Sequence, residues 1–135
     1  MTGEHRSAYA TVNPHTGETE REFPTIGGTA VDAVVDAAHA AFEKWRSLSI
    51  EERAQLVGRA AELMEERKER LASLITTEMG KLIAESEGEV DLAAAILAYY
   101  AQNGPRFGAE QTLGVDEGEA VVVSEPLGVL VGVEP

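Results

Sequence analysis

Cysteine is absent from the 135 residues, which removes disulfides, Cys-ligated zinc, iron–sulfur clusters and any thiol nucleophile in one step. Long apolar runs are missing as well. No stretch approaches the ~18 to 20 uncharged apolar residues that a membrane span needs, and Met1-Thr2-Gly3-Glu4-His5-Arg6 lacks the apolar core of a signal peptide. A cytoplasmic protein with no membrane partner is the expectation. Positive charge is scarce: 11 basic residues stand against 24 acidic ones, a formal net charge of −13. A surface of that sign repels phosphate backbones and anionic lipid headgroups, so no nucleic-acid partner is expected either. Lysine is the rarer cation, at Lys44, Lys68 and Lys81 only. The acid excess fits a salt-adapted source and ordinary solubilising charge equally.

What remains is a hydrophobic fraction of 44%, enough for a packed core in about one domain's length of chain. Residues 1 to 8 are polar and aperiodic and read as a frayed terminus. Tyr9 to Val12 reads as a strand, Asn13-Pro14-His15-Thr16-Gly17 as a turn, and Glu18 to Phe23 as the second arm of an exposed hairpin ending at Pro24. After Gly27-Gly28, Thr29 offers a capping oxygen to a helix whose apolar face is Val31, Val34, Val35, Ala38, Phe42 and Trp45. Ser49-Ile50-Glu51-Glu52 fits a capping box opening a second helix with Ile50, Ala54, Val57, Ala61 and Met64 inward. The charged block from Glu65 to Arg70 interrupts the stripe before Leu71, Leu74, Ile75 and Met79 resume it, so this is one bent helix or two, stopping at Gly80. A further helix is expected from about Ala84 to Asn103, with Leu92, Ala93, Ile96, Leu97 and Tyr100 inward, Gly88 at a close packing point and Asn103-Gly104-Pro105 as terminator. Residues 108 to 118 read as loop. Residues 120–123 and 129–133 read as two buried strands around the turn at Glu125-Pro126-Leu127-Gly128.

The run Val129 to Val133 says most by physics alone. A strand apolar on both faces belongs inside a parallel sheet covered by helices, and its neighbours require a crossover and further strands. None is encoded after it, and an uncovered edge of that kind is avoided by soluble proteins. The sheet is therefore expected to be incomplete.

Groups able to carry chemistry are thin. His5, His15 and His39 have no i, i+4 partner, which argues against a metal site and for surface positions. Acids abound in runs and on polar helical faces, for example Glu62, Glu65, Glu66, Glu85 and Glu87, where all would be solvated rather than split into an acid and a base. Gly27-Gly28 and the pair Gly128/Gly132 lack the spacing that wraps a phosphate ahead of a helix. No serine sits in an elbow motif with a suitably placed histidine. From the residues alone, no catalytic residue and no metal ligand is assigned.

The order of segments nevertheless resembles the N-terminal portion of NAD(P)-dependent aldehyde dehydrogenases, most closely the succinate-semialdehyde dehydrogenase branch. The resemblance rests on Asn13-Pro14-His15-Thr16-Gly17, Ala40-Ala41-Phe42-Glu43-Lys44-Trp45, Glu52-Arg53, Glu78-Met79-Gly80-Lys81, Glu89-Val90-Asp91 with Tyr99-Tyr100-Ala101, and the run from Ser124 to Pro135. It covers the chain from about Tyr9 onward. It implies an α/β fold made of an N-terminal hairpin, a helical segment and the first strands of a Rossmann-type domain whose sheet is incomplete. On this reading residues 1–135 are part of the N-terminal cofactor-binding domain, with a bridging or oligomerisation strand near 119–126.

The resemblance further implies oxidation of a small aldehyde to a carboxylic acid with NAD or NADP, by a homo-oligomer. Succinate semialdehyde is the expected aldehyde. Val133, Glu134 and Pro135 match the segment that borders the cofactor, although Glu134 is charged where the family is often apolar. Leu92 matches a position lining the aldehyde entrance tunnel, with plain core packing as its other reading. The family's nucleophilic Cys, general-base Glu and oxyanion Asn would all lie downstream, so this chain alone is expected to be an inactive fragment that binds no cofactor. The alternative is a non-catalytic interaction module that pairs with another aldehyde dehydrogenase chain.

Overall fold

The computed structural model describes residues 9–133, a mixed α/β chain in which four helices are flanked in sequence by two small antiparallel hairpins. Residues 1–8, with His5, and the cofactor candidates Glu134 and Pro135 lie outside the described residues.

The first hairpin forms where alternation and turn residues put it. β1 (Tyr9–Val12) pairs with β2 (Thr19–Phe23) in a register that sets Tyr9 opposite Phe23 and slips between Thr11 and Val12. Asn13 organises the turn. Its Oδ1 accepts the His15 backbone N–H at 2.9 Å while its own N–H donates to the Glu18 carbonyl, and Gly17 takes φ +74°, which a glycine adopts without steric cost.

Helix α1 (Thr29–Arg46) begins one residue earlier than a Thr29 cap would require. Gly28, at φ +55°, is the capping residue and no side chain caps the helix, so Thr29 sits inside the first turn. The amphipathic stripe is present, but its residues are only partly covered: Ala38 and Phe42 are half-buried, while Val31, Val34, Val35 and Trp45 are exposed. Helix α2 (Ile50–Glu66) carries the capping box in full. The Glu52 backbone N–H donates to Ser49 Oγ at 3.1 Å, and the Ser49 N–H donates to Glu52 Oε2 at 2.8 Å.

The interrupted stripe resolves into two helices. Arg67, at φ −109° and ψ +15°, separates α2 from α3 (Lys68–Met79). Gly80 then closes α3 in the left-handed conformation at φ +70°, its N–H donating to the Thr76 carbonyl at 2.9 Å. A Cβ at Gly80 would also lie 2.9 Å from Pro14 Cγ, so the turn of the first hairpin rests on this point. Gly80→Ala is expected to cost about 1–2 kcal/mol from the left-handed backbone alone, plus the clash with Pro14. Urea unfolding of both chains checks this, and equal midpoints would refute it.

Helix α4 (Ile83–Phe107) corrects two expectations. It runs through Asn103-Gly104-Pro105 instead of ending there. Pro105 withholds one N–H from the helix, yet Asn103 Nδ2 donates to the Tyr99 carbonyl at 2.9 Å, and the Gly108 N–H donates to the Gly104 carbonyl at 2.9 Å. The extra turn is held by packing, since any Cβ at Gly108 would press 3.3 Å from Ile50 at the start of α2.

The inward face of α4 also differs from the expected one. Ser86, Val90 and Ala94 are buried, Ala93 and Leu97 are half-buried, and Leu92, Ile96 and Tyr100 face out. The reason lies in the partner. α2 offers Gly58, against Ala101, and the buried Ala61, so the small-residue stripe of α4 permits the closer approach. Gly88 has open space beside it and is no packing point. Ala72 of α3, fully buried, completes this small core.

The C-terminal strands are rearranged relative to expectation. β3 (Gln111–Leu113), within the stretch read as loop, pairs antiparallel with β4 (Ala120–Val122). Val129 to Val133 is neither buried nor in a ladder among the described residues; Leu130 and Val131 are more than four-fifths exposed. A strand needs a neighbour for its N–H and C=O groups, and none of the described residues supplies one.

Candidate functional site

Charged side chains form ion pairs along the helices. Arg59 Nη1 lies 2.8 Å from Glu62 Oε2 and 2.9 Å from Glu66 Oε1, and these hydrogen bonds raise the guanidinium further above its already high value. Arg59 sits on the rim of an open groove between α2 and α4 that also includes Gln55, Gly58, Ala101 and Pro105. Lys68 pairs with Asp91 at 2.6 Å, which raises the ammonium's value, and Lys81 pairs with Glu89. Hydrogen bonds from Ser49 lower Glu52 from its ordinary value of 4.5. Each of these carboxylates faces a cation or a helix N-terminus, and no two of them share a site that would set one apart as an acid and the other as a base. Among the described residues no three His, Cys, Asp or Glu side chains gather as a metal site, and His15 and His39 are exposed, His39 standing near the Phe42 ring.

Apolar surface is the other resource. α4 displays Leu92, Ile96, Tyr99, Tyr100 and Phe107, with the Tyr99 and Tyr100 rings edge to face at 5.4 Å. Between α3 and α4 lies a groove of about 440 Å3 floored by Met64, Leu71, Ile75, Val90 and Ala93. A third groove sits between α1 and the chain after β4, lined by Ala38, Ala41, Phe42, Trp45, Gly128 and Val129. Gly128, at φ +120°, brings its backbone against the Phe42 ring, where a Cβ would lie 3.9 Å away. Leu130, Val131 and Val133, farther along the apolar run and beyond this groove, are exposed.

Of the residues singled out from the sequence, Val133 stands at the end of this run, 90% exposed, and Leu92 stands on the outer face of α4, 62% exposed. Neither lines any of the grooves described above, and the structure does not bring the two together. The core-packing reading of Leu92 fails among the described residues because the helix buries its other face. Sequence reasoning missed the groove formed by Phe42, Trp45, Gly128 and Val129. The available signal was the α1 stripe together with a glycine placed immediately before an apolar run. It also missed Arg53, whose Nε is buried with no hydrogen-bond partner among the described residues. No periodicity marks such an atom.

Comparison with known proteins adds what the geometry leaves open. The model of the aldehyde dehydrogenase family matches residues 1–135. A succinate-semialdehyde dehydrogenase [NADP(+)] of Deinococcus radiodurans is 51% identical over 127 residues, which are 94% of this chain and 27% of that protein. The crystal structure of succinic semialdehyde dehydrogenase from Streptococcus pyogenes with NADP+ superposes with a TM-score of 0.80 at 33% identity, over 86% of this chain and 26% of that one. The succinate-semialdehyde dehydrogenase of Burkholderia pseudomallei superposes equally well, TM-score 0.80 at 34% identity, over 89% of this chain and 25% of that one. The chain thus spans about a quarter of the length of these relatives.

Proposed function

Because the chain belongs to the aldehyde dehydrogenase family, we propose that it is the N-terminal portion of an NADP-preferring succinate-semialdehyde dehydrogenase, acting in the cytoplasm within a homo-oligomer. The 51% identity over nearly the whole chain to an enzyme of that name carries this reading. In it, residues 1–135 belong to the cofactor-binding domain and contribute no reacting group.

The run ending at Val133 is suited to the edge of a nicotinamide nucleotide site. Ligands of open α/β sheets lie beyond the carboxyl ends of the strands, and Val133 is uncovered at the end of an apolar run that begins beside the groove of Phe42 and Trp45. Val133, with Glu134 and Pro135, would border the cofactor through backbone. When bound, that cofactor supplies the hydride acceptor for aldehyde oxidation. The sequence has no glycine loop of the kind that wraps a pyrophosphate, so the principal hold on the cofactor is assigned to residues beyond this chain. Leu92, uncovered on α4, is assigned to the aldehyde's entrance path. The exposed hairpin of β3 and β4, with the 119–126 segment, is assigned to contacts between subunits.

The test is a chimera in which this chain replaces the matching quarter of the Deinococcus radiodurans enzyme. We expect NADPH formation from succinate semialdehyde, faster than with NAD+ and faster than from an uncharged aldehyde of similar length. A soluble but inactive chimera would favour the non-catalytic module that only pairs with another aldehyde dehydrogenase chain. Activity with equal use of both cofactors would remove the NADP preference.

A further inference from the structure

Two of the three lysines hold one helix. Lys68 opens α3 and places Nζ 2.6 Å from Asp91 Oδ2; Lys81, just past the end of α3, pairs with Glu89 Oε1. Both acceptors stand on α4, one on each side of Val90 in the sequence. At ~100° per residue they project from opposite flanks of the helix, and Val90 between them is buried. α3 therefore crosses α4 over Val90, with an ion pair on each side of the crossing.

Apolar packing on α4 is the other attachment of α3, through buried Ala72 and half-buried Leu71 and Ile75 beside Val90. Leu74 and Met79 are exposed, and the polar anchor of α3 is the hydroxyl pair Thr76 Oγ1 and Ser86 Oγ at 2.9 Å. It packs on α4, barely meets α2 and joins it through the non-helical Arg67. The α2–α4 pair, in contrast, is held by a small-residue apolar seam around Ala61 and Ala94. Electrolyte acts differently on the two attachments. Screening weakens exposed ion pairs, whereas it relieves the self-repulsion of a chain carrying −13.

We infer that α3 is an electrostatically clipped element: Lys68–Asp91 and Lys81–Glu89 hold it across α4, and raised salt lets it open as a unit while the α2–α4 pair stays closed. Opening parts the walls of the groove, drawing Leu71 and Ile75 of α3 away from Met64 and Val90. The signature is differential. Salt loosens α3 as it leaves α2–α4 unchanged or tightens it, a divergence that global stabilisation or destabilisation does not produce.

Hydrogen exchange on the full 135-residue chain at ~20 mM and ~0.5 M sodium chloride reads this out, the two conditions falling on either side of a Debye length of ~10 Å. Exchange across Lys68–Met79 is expected to quicken roughly fivefold at high salt, from about twofold to threefold per pair, with no quickening in α2 around Ala61. The double substitution Lys68→Met, Lys81→Met is expected to give the fast exchange already at low salt and to abolish the salt response. Lys68→Arg keeps that response, as does Lys44→Met, because Lys44 makes no ion pair among the described residues. Exchange of α3 that follows α2 at both salt concentrations would overturn the inference, as would a salt response surviving the double substitution. If the double variant loses protection throughout, the salt series on the unsubstituted chain and on Lys68→Arg decides.

Discussion

Incubated with succinate semialdehyde and NADP+, the 135-residue chain is expected to reduce no more nicotinamide than a protein-free blank. In the family reading, the aldehyde becomes a hydride donor only after a thiolate has added to its carbonyl, and the sequence holds no cysteine. The hydroxyls do not substitute. Ser49 caps α2, Ser47 Oγ donates to the Lys44 carbonyl, and Ser86 is buried against Thr76. None of these bonds is to a histidine that could act as base. Losing the covalent step removes at least the ~10⁶-fold at the low end of enzymatic rate enhancement, which places turnover below detection by absorbance of the reduced nicotinamide. Measurable NADPH from a homogeneous preparation would refute the assignment of chemistry to residues beyond this chain. The chimera measured under the same conditions separates absent chemistry from an absent fold.

Local rules made much of this chain legible. The hairpin from Tyr9 to Phe23 follows from a turn whose geometry Asn13 and Gly17 dictate, and the capping box at Ser49 and Glu52 is a short-range exchange of two hydrogen bonds. Gly80 ends α3 for the same kind of reason, a backbone conformation few other residues accept. Each signal is complete within about five residues.

What local rules missed depended on a partner. Asn103-Gly104-Pro105 reads as a terminator, but the last turn of α4 is retained by packing on Ile50, some 55 positions away in the sequence. β3 reads as loop because Gln111-Thr112-Leu113 shows no pattern until β4 lies beside it. The opposite error befell Val129 to Val133, whose composition is that of a buried strand and whose neighbours are not among the described residues. The candidate site shares that dependence. Val133 and Leu92 are marked by the resemblance alone; both are exposed and line none of the grooves described, and on the proposed reading their roles come from surfaces formed with other parts of the enzyme.

The face of α4 supplies the sharpest test of this account. Leu92 and Ala94 are two positions apart, and hydrophobicity alone makes Leu92 the core residue. The structure reverses the order, with Leu92 62% exposed and Ala94 1% exposed. Ala94→Leu should therefore cost about 1–3 kcal/mol, because the added carbons must force α4 away from its neighbours or into an unfavourable rotamer. Leu92→Ala should stay within ~0.5 kcal/mol, the range of surface substitutions, with alanine's higher helix propensity offsetting part of any loss. Urea denaturation of the three chains, followed by helix signal, measures both. In the chimera the contrast should narrow, since a Leu92 covered by the remaining three-quarters of the enzyme would lose contacts on truncation. A Leu92→Ala effect that stays negligible there would withdraw Leu92 from the substrate path and leave it an ordinary surface residue.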